Sequence, residues 1–421
     1  MNHKLFLILK QSIYKYWLLI KAHSVDQFSF YTTVAFLFMM HKNTMLNFAL
    51  KLFLFHSFFV FCSALDCMDQ DNQTVDWFLV YKIPQIDHTD ELISNGLGYV
   101  YMTSKNKYWK SSTIPINSTN SILANTLSDL AKNSTSYILY NDSPPSGANN
   151  TKKGHTKGVV AFNGRGGYWM THSLPYFPTY ESYKFPKIGA KYGHMFLCFS
   201  MNLPYLNEVG RQLYYNQPNI YKSYISKGIK PLVPKLDNAA RKTIINGSPW
   251  TSKKILLSKR NEKFLSIAKA GRDYRELYSD IIAPYLKQDL LVQSWSLDSK
   301  RYESECKRTV RINNVNSVYI NEAGARFYSM VDQSKWAITK NESDTFWFCI
   351  GDLNRAKNHE YRSGGAICFS DGKLKKSLEN LVSTVAECRD DVKPINRTIH
   401  GPVKKKVQKP SSNRIYIYKG F

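Results

Sequence analysis

The sequence offers no zinc pattern. Neither a CxxC nor an HxxxH spacing occurs in its 421 residues, so a tetrahedral Cys/His site is not expected. It is also short of acid: Asp and Glu number 32 against 57 Lys and Arg, a formal charge of +25. The basic excess is spread along the chain rather than packed into one block, which favours a partner carrying negative charge, whether nucleic acid, anionic lipid or acidic glycan. A disordered chain is excluded by composition, since 43% of residues are hydrophobic and 14% aromatic. That supplies the core of one large or two medium domains.

Long apolar runs are confined to the N-terminus, at 34–40 and 46–64. From Met45 the chain reads as a secretory signal, with Lys51 near its start, an apolar centre, and Ser63 and Ala64 before the expected cut. Residues 1–44 then form an upstream extension with no folded role. A membrane anchor is the alternative, but His56 interrupts the run and the small residues at its end favour cleavage. A secreted or lysosomal location follows, with no stable membrane association once the signal is removed. Six cysteines remain after it (Cys67, Cys198, Cys306, Cys349, Cys368 and Cys388), consistent with three disulfides among fifteen pairings. Sequons at Asn72, Asn117, Asn133, Asn141, Asn149, Asn246, Asn341 and Asn396 agree with a glycoprotein.

Along the chain, VDWFLVYKIP (75–84) reads as a buried strand and NDSPPSGANNTKKG (141–154) as a loop that delivers the chain to His155. HTKGVVAF then begins a strand, and strand alternation puts His155 and Lys157 on one face. GRGGYWM (164–170) turns into a second strand, a hairpin. Residues 204–254 read as a connection between halves, 262–286 as largely helical, and 289–295, 315–320 and 345–354 as strands. Leu374, Leu378, Leu381, Val382 and Val385 recur at helical spacing and predict a closing helix. From 401 the tail carries six basic residues and no acid; it is expected to be a mobile extension, an arm for a polyanion being the alternative.

The chemistry concentrates in two short motifs, His155-Thr156-Lys157 and Gln333-Ser334-Lys335. Two His-x-Lys motifs, one per half, would surround one phosphodiester with two imidazoles and two ammonium groups. One histidine attacks phosphorus, the lysines offset charge on the non-bridging oxygens, and the other histidine protonates the leaving oxygen, with no metal or other cofactor. A lone His-x-Lys carries no weight as a pattern. Its weight here comes from LDCMDQDNQTVDWFLVYKIP, GHTKGVVAFNGRGGYWMTHSLPYFP, KYGHMFLCFS, FLSIAKA, DQSKW and WFCIGDLNRAKNHEYRSGGAICF, which run in order from about Leu65 to Val382.

In these stretches the chain resembles the deoxyribonuclease II family. The resemblance implies an α/β fold similar to that of phospholipase D, a pseudo-two-fold arrangement of two sandwiched α/β halves. Here the domain would span 65–395, its halves about 65–215 and 255–395, followed by a basic tail over 396–421. It further implies a metal-independent acid endonuclease acting on duplex DNA and leaving 3′-phosphates, and it leaves open whether the protein is a homodimer. The implied disulfides are Cys67–Cys198, Cys306–Cys388 and Cys349–Cys368.

Carried over by position, His155 and Lys157 match the first motif in full, and Lys335 matches the second. Gln333 stands where that motif has histidine. Its amide donates a hydrogen bond but does not titrate, so it cannot serve as acid, base or nucleophile. Loss of a general acid costs about 10² to 10⁴ in rate. Asn163 replaces a usual Asp, a lesser departure. Asn354, Arg355 and Arg362 suit phosphate binding or structural hydrogen bonding, and Gly364 and Gly365 a tight turn. His172 is expected in the framework around the first motif. His194 and His359 depart from the family; His359 is expected to be a loop histidine in water, with rescue of the missing imidazole as its alternative. The reading is a deoxyribonuclease II-like endonuclease of reduced activity. Its alternatives are an inactive DNA-binding decoy or scavenger of the same fold and, more remotely, a glycoprotein that binds a protein or an anionic surface.

Overall fold

The computed structural model describes residues 65–340 and 345–387. The upstream extension, the signal segment, the basic tail, Cys388 and the sequons at Asn341 and Asn396 lie outside the described residues. Two sheets organise the remainder. The first contains β1 (Trp77–Lys82), β2 (Tyr99–Thr103), β3 (Lys110–Ser111), β4 (Ser136–Asn141), β5 (Lys157–Asn163), β6 (Gly166–His172), β7 (His194–Met201) and β8 (Ile220–Tyr224). Its order is β8-β4-β5-β6-β7-β1-β2-β3.

The second contains β9 (Thr251–Leu257), β10 (Lys263–Lys269), β11 (Leu290–Gln293), β12 (Ile312–Ile320), β13 (Ala325–Tyr328), β14 (Trp336–Thr339), β15 (Phe348–Gly351), β16 (Gly364–Phe369) and β17 (Val382–Val385). Here the order is β9-β10-β16-β15-β14-β11-β12-β13, with β17 paired to β12. Pairing in the first sheet is antiparallel, and in the second only β11 with β12 is parallel. A two-stranded ribbon, Cys67–Met68 with Thr74–Val75, precedes them.

Alternation along the strands explains the layering. In β1, Trp77, Leu79 and Tyr81 enter the central core, while Phe78 and Val80 enter a second core on the other face. In the second sheet Trp336, Ile338, Phe348 and Ile350 enter the same central core, and Ala337 and Cys349 face a third. The sheets therefore pack face to face: Phe199 of β7 stacks on Phe264 of β10 with centroids 4.4 Å apart. Burying each such side chain contributes about 1.5–3 kcal/mol.

Helix α1 (Leu203–Asn216) begins with proline in its first turn and inserts Leu206, Val209 and Leu213 into the central core. It ends at Gln217, in the left-handed conformation with φ 46°. The strands expected at 75–84, 289–295, 315–320 and 345–354 and the hairpin of β5 with β6 are present, while the strand expected from His155 begins only at Lys157.

Four expectations need correction. Residues 204–254 are no simple connection, since they hold α1, β8, a short helix Pro234–Ala240 and the start of β9. Residues 263–269 form a strand, not a helix; a single short helical turn follows at Gly271–Asp273, and the longer helical run starts at Leu277. Phe264 faces the central core while Leu265 and Ile267 face the third, so both faces are apolar and the period is ambiguous in sequence. The closing helix covers only Lys375–Glu379; Val382–Val385 pairs with β12 as a strand, as its branched residues favour. Likewise Gly364 and Gly365 open β16 instead of forming a tight turn, and a Cβ on Gly365 would lie 2.1 Å from the Ile267 carbonyl oxygen.

Cys67 is bonded to Cys198 and Cys349 to Cys368, directly opposite each other on β15 and β16. Cys306 is also disulfide-bonded. No helix among the described residues is long and apolar enough to cross a membrane.

Candidate active site

His155 lies two residues ahead of β5, where the chain is clamped from both sides. The Gly154 N–H donates to the Gln217 carbonyl (2.9 Å) and the His155 N–H to that of Ser363 (2.8 Å). Only glycine fits at 154, because a Cβ there would lie 1.8 Å from the Asn216 carbonyl oxygen. The end of α1 and the entry to β16 thus fix the backbone of His155.

Its ring is held by a residue that the sequence reading treated only as part of a loop. Asp142, at the end of β4, places Oδ2 2.6 Å from His155 Nδ1 and Oδ1 2.5 Å from Lys157 Nζ. Arg362 donates to the same carboxylate at 3.0 Å and to the Lys153 carbonyl at 3.0 Å. One carboxylate therefore gathers three cationic or proton-bearing side chains. Burial pushes the Asp142 carboxyl up, but Lys157 and His155 outweigh it and hold it well below the usual carboxylate range. Burial and the adjacent Lys157 lower the His155 imidazole to about 3, against the opposing pull of Asp142 and with a further contribution from Lys335. With Nδ1 facing a carboxylate, the imidazole carries its proton there and leaves Nε2 with the lone pair.

The second motif is pinned from beneath. Asp332 is fully buried and accepts from the Tyr81 hydroxyl of β1 (2.5 Å), the Ser334 hydroxyl (2.8 Å) and the Ser334 N–H (2.9 Å). Burial raises its carboxyl. Gly193 and Asp332 pair as a parallel bridge, and the Gln333 N–H donates to the Gly193 carbonyl at 3.0 Å. Lys335 donates to the Gln333 carbonyl at 2.6 Å. Burial and Lys157 lower Lys335 to about 7, with Asp332, Asp142 and Asp352 opposing. Asp352 also went unnoticed in the sequence: burial raises it to about 7, and it accepts from the Gly365 N–H (2.8 Å) and the Thr156 side chain. Thr156 thereby ties the first motif to the second sheet.

His359 is not a loop histidine in water. It is buried, and its ring stands edge-on to His155, with centroids 4.9 Å apart and planes at 87°. The Asn354 N–H donates to its Nδ1 at 3.0 Å, and Asp298 Oδ2 lies 3.7 Å from its Nε2. Burial, then His155, Lys335, Arg362 and Lys157, hold it well below the ordinary histidine range.

His172 and His194 are framework residues. His172 accepts from the Leu174 N–H (3.2 Å) and stacks on Phe196, and His194 Nδ1 meets the Ser173 hydroxyl at 3.1 Å. Burial leads in lowering both, His172 to about 3 and His194 well below the ordinary histidine range. Asn163 sits at the far end of β5, where it accepts from the Arg165 N–H in the hairpin turn.

Arg355 makes structural hydrogen bonds. Its guanidinium is buried and donates to Asn314 (2.9 Å), the Glu303 carbonyl (2.5 Å) and Glu305 (3.0 Å). Asn354 is buried beside His359, its Nδ2 donating to Asp298 at 3.4 Å, so of the three expected phosphate-binding residues Arg362 alone touches the Asp142 group. The sequon at Asn141 is also corrected: this residue is fully buried and its amide donates to the Leu174 and Phe177 carbonyls, which leaves no exposed nitrogen for a glycan. Asn72, Asn117, Asn133, Asn149 and Asn246 are exposed. No group of three or more His, Cys, Asp or Glu among the described residues could hold a metal ion.

The site thus joins the start of β5 in one sheet to the start of β14 in the other, and the comparisons with known proteins cover both. The family model for deoxyribonuclease II matches residues 66–388. Plancitoxin-1 of Acanthaster planci is 32% identical over 334 residues, covering 77% of this chain and 93% of that protein. Deoxyribonuclease-2-alpha of Sus scrofa is 32% identical over 337 residues, 78% of this chain and 92% of that one. Cell death-related nuclease 6 of Caenorhabditis elegans is 32% identical over 340 residues, 77% and 90% respectively. With both motifs inside the matched region, the chain belongs to the deoxyribonuclease II family.

Proposed function

We propose that this protein is a metal-independent endonuclease of duplex DNA that leaves 3′-phosphates and works below the rate of an enzyme with both histidines. The observation that carries the reading is the Asp142–His155–Lys157 group, in which Nδ1 of His155 faces Asp142 Oδ2 at 2.6 Å and Nε2 is left as the nucleophile. In the first step Nε2 attacks phosphorus, a P–N bond forms and the bond to the 5′-oxygen breaks. Water then attacks the phosphohistidine, releasing the 3′-phosphate and restoring the imidazole. Lys157 and Lys335 offset charge on the non-bridging oxygens. The Gln333 amide does not titrate and cannot protonate the departing 5′-oxygen, which must take its proton from solvent; that is the source of the reduced rate.

The two sheets support a pseudo-two-fold, phospholipase D-like arrangement: β4-β5-β6-β7-β1 in one corresponds to β11-β14-β15-β16-β10 in the other, with a motif lysine at the start of β5 and just before β14. Secretion or lysosomal delivery, with glycans on the exposed sequons, completes the reading. A decoy that binds DNA without cutting it is favoured by Gln333 alone; its affinity would fall steeply with added salt as counterions are released.

The deciding experiment is plasmid nicking by the purified mature protein at about pH 5 with a chelator present, beside His155→Ala. Nicking that His155→Ala abolishes supports the reading. Binding without nicking by the natural protein selects the decoy.

A further inference from the structure

We propose that His359 adds a further contribution at this site, as a neutral hydrogen-bond donor to a non-bridging oxygen of the scissile phosphate, and that it does not replace the missing histidine as an acid. The inference rests on the endonuclease reading above and assigns this site a residue outside both motifs.

Three observations carry it. His359 comes from a different segment than either motif, the turn Lys357–Tyr361, yet its ring meets that of His155 edge-on at 4.9 Å. Its tautomer is fixed, because Nδ1 accepts the Asn354 N–H at 3.0 Å and the proton must therefore sit on Nε2. That Nε2–H lacks a full partner: Asp298 Oδ2, at 3.7 Å, is beyond hydrogen-bond reach. A preoriented, buried N–H beside the nucleophile is what stabilises charge that develops on a phosphoryl oxygen.

The surroundings decide between donor and acid. His155, Lys157, Lys335 and Arg362 all oppose a positive charge on His359, Asp298 is the carboxylate nearest its Nε2–H, and protonation at Nδ1 would break the bond from Asn354. A neutral imidazole that gave up Nε2–H would become an anion, so a hydrogen bond is the chemistry open to it. In the attack step the proton stays on Nε2 while the bond shortens, and the electron balance of the P–N and P–O exchange is unaltered.

Two side chains separate this role from simple support of the loop. Glutamine places an N–H where histidine has Nε2–H, whereas asparagine places an oxygen where histidine has Nδ1. We expect His359→Gln to keep nicking within about tenfold of the natural protein, and His359→Asn, which keeps the loop bond, to lose about 10² to 10³. The same loss is expected on thymidine 3′-(4-nitrophenyl phosphate), whose leaving group needs no proton, and with no shift in the pH profile.

The opposite order, with Asn active and Gln inactive at equal thermal stability, would show a loop support only. A loss seen on DNA but absent on the nitrophenyl ester would make His359 the acid, also against the proposal. If His155→Ala cuts as well as the natural protein, the endonuclease reading itself fails; if His155→Ala is dead and His359→Asn is unimpaired, only the present inference does.

Discussion

Asp142 holds His155 and Lys157 with its two oxygens, at 2.6 and 2.5 Å, and thereby sets which nitrogen of His155 can act. Asp142→Asn keeps the size but loses the charge, and its amide offers one acceptor to three donors. The His155 proton is then free to move to Nε2. Nicking is expected to fall by about 10²-fold or more with little change in DNA affinity, read from rates at saturating DNA. A variant with full activity would reduce the pair to a structural contact.

The pH profile follows from two opposing titrations. His155 attacks only when unprotonated, so activity is expected to rise as pH climbs through about 3. Lys335 offsets charge only when protonated, so activity should fall as pH climbs through about 7. The expected optimum is acidic although Gln333 cannot supply the usual histidine limb. Lys335→Arg, which stays charged, should extend activity to higher pH in a nicking assay across the range. An unmoved alkaline limb would remove Lys335 from this role.

What could be read in the sequence was local. The run HTKGVVAF declared its strand because branched and aromatic residues follow a loop, and DQSKW declared the missing histidine by position. Asp142 and Asp352 could not be found that way, and His359 stood out only as a departure from the family, expected in water with rescue as its alternative. Asp142 sat inside a loop-like, sequon-bearing stretch, and its role exists only because β4 ends beside the start of β5. His359 reaches His155 through tertiary packing across 204 positions of sequence. The misread strand at 263–269 has the same origin, since a strand buried on both faces shows no two-residue alternation of polarity.

Restoring the imidazole is the direct test of the second motif. The Ser334 and Asp332 contacts that pin this segment do not involve the side chain of Gln333, so Gln333→His should be accommodated. Nicking is expected to rise by about 10² to 10⁴, the usual contribution of a general acid. The gain should be smaller on the nitrophenyl ester, whose leaving group departs unaided. A revertant no faster than the natural protein would mean that departure of the 5′-oxygen does not limit this enzyme.

Arg355 allows a prediction that separates stability from DNA contact. Its guanidinium joins Asn314, the Glu303 carbonyl and Glu305, while Arg308 holds the other oxygen of Glu305 at 2.7 Å. Arg355→Ala would leave a cavity and remove one partner of a buried pair, a change that costs about 3 to 5 kcal/mol when the remaining charge has nothing else. Because Arg308 stays in place, the low end, about 3 kcal/mol, is expected here. Arg355→Met fills the volume and should lose less. Both variants should keep the natural slope of DNA affinity against salt, because a residue that touches no phosphate releases no counterion. Lys157→Ala and Lys335→Ala should each flatten that slope by about one unit. Thermal melts read the first effect and salt titrations the second; a flatter slope for Arg355→Met would return this arginine to the DNA-binding surface.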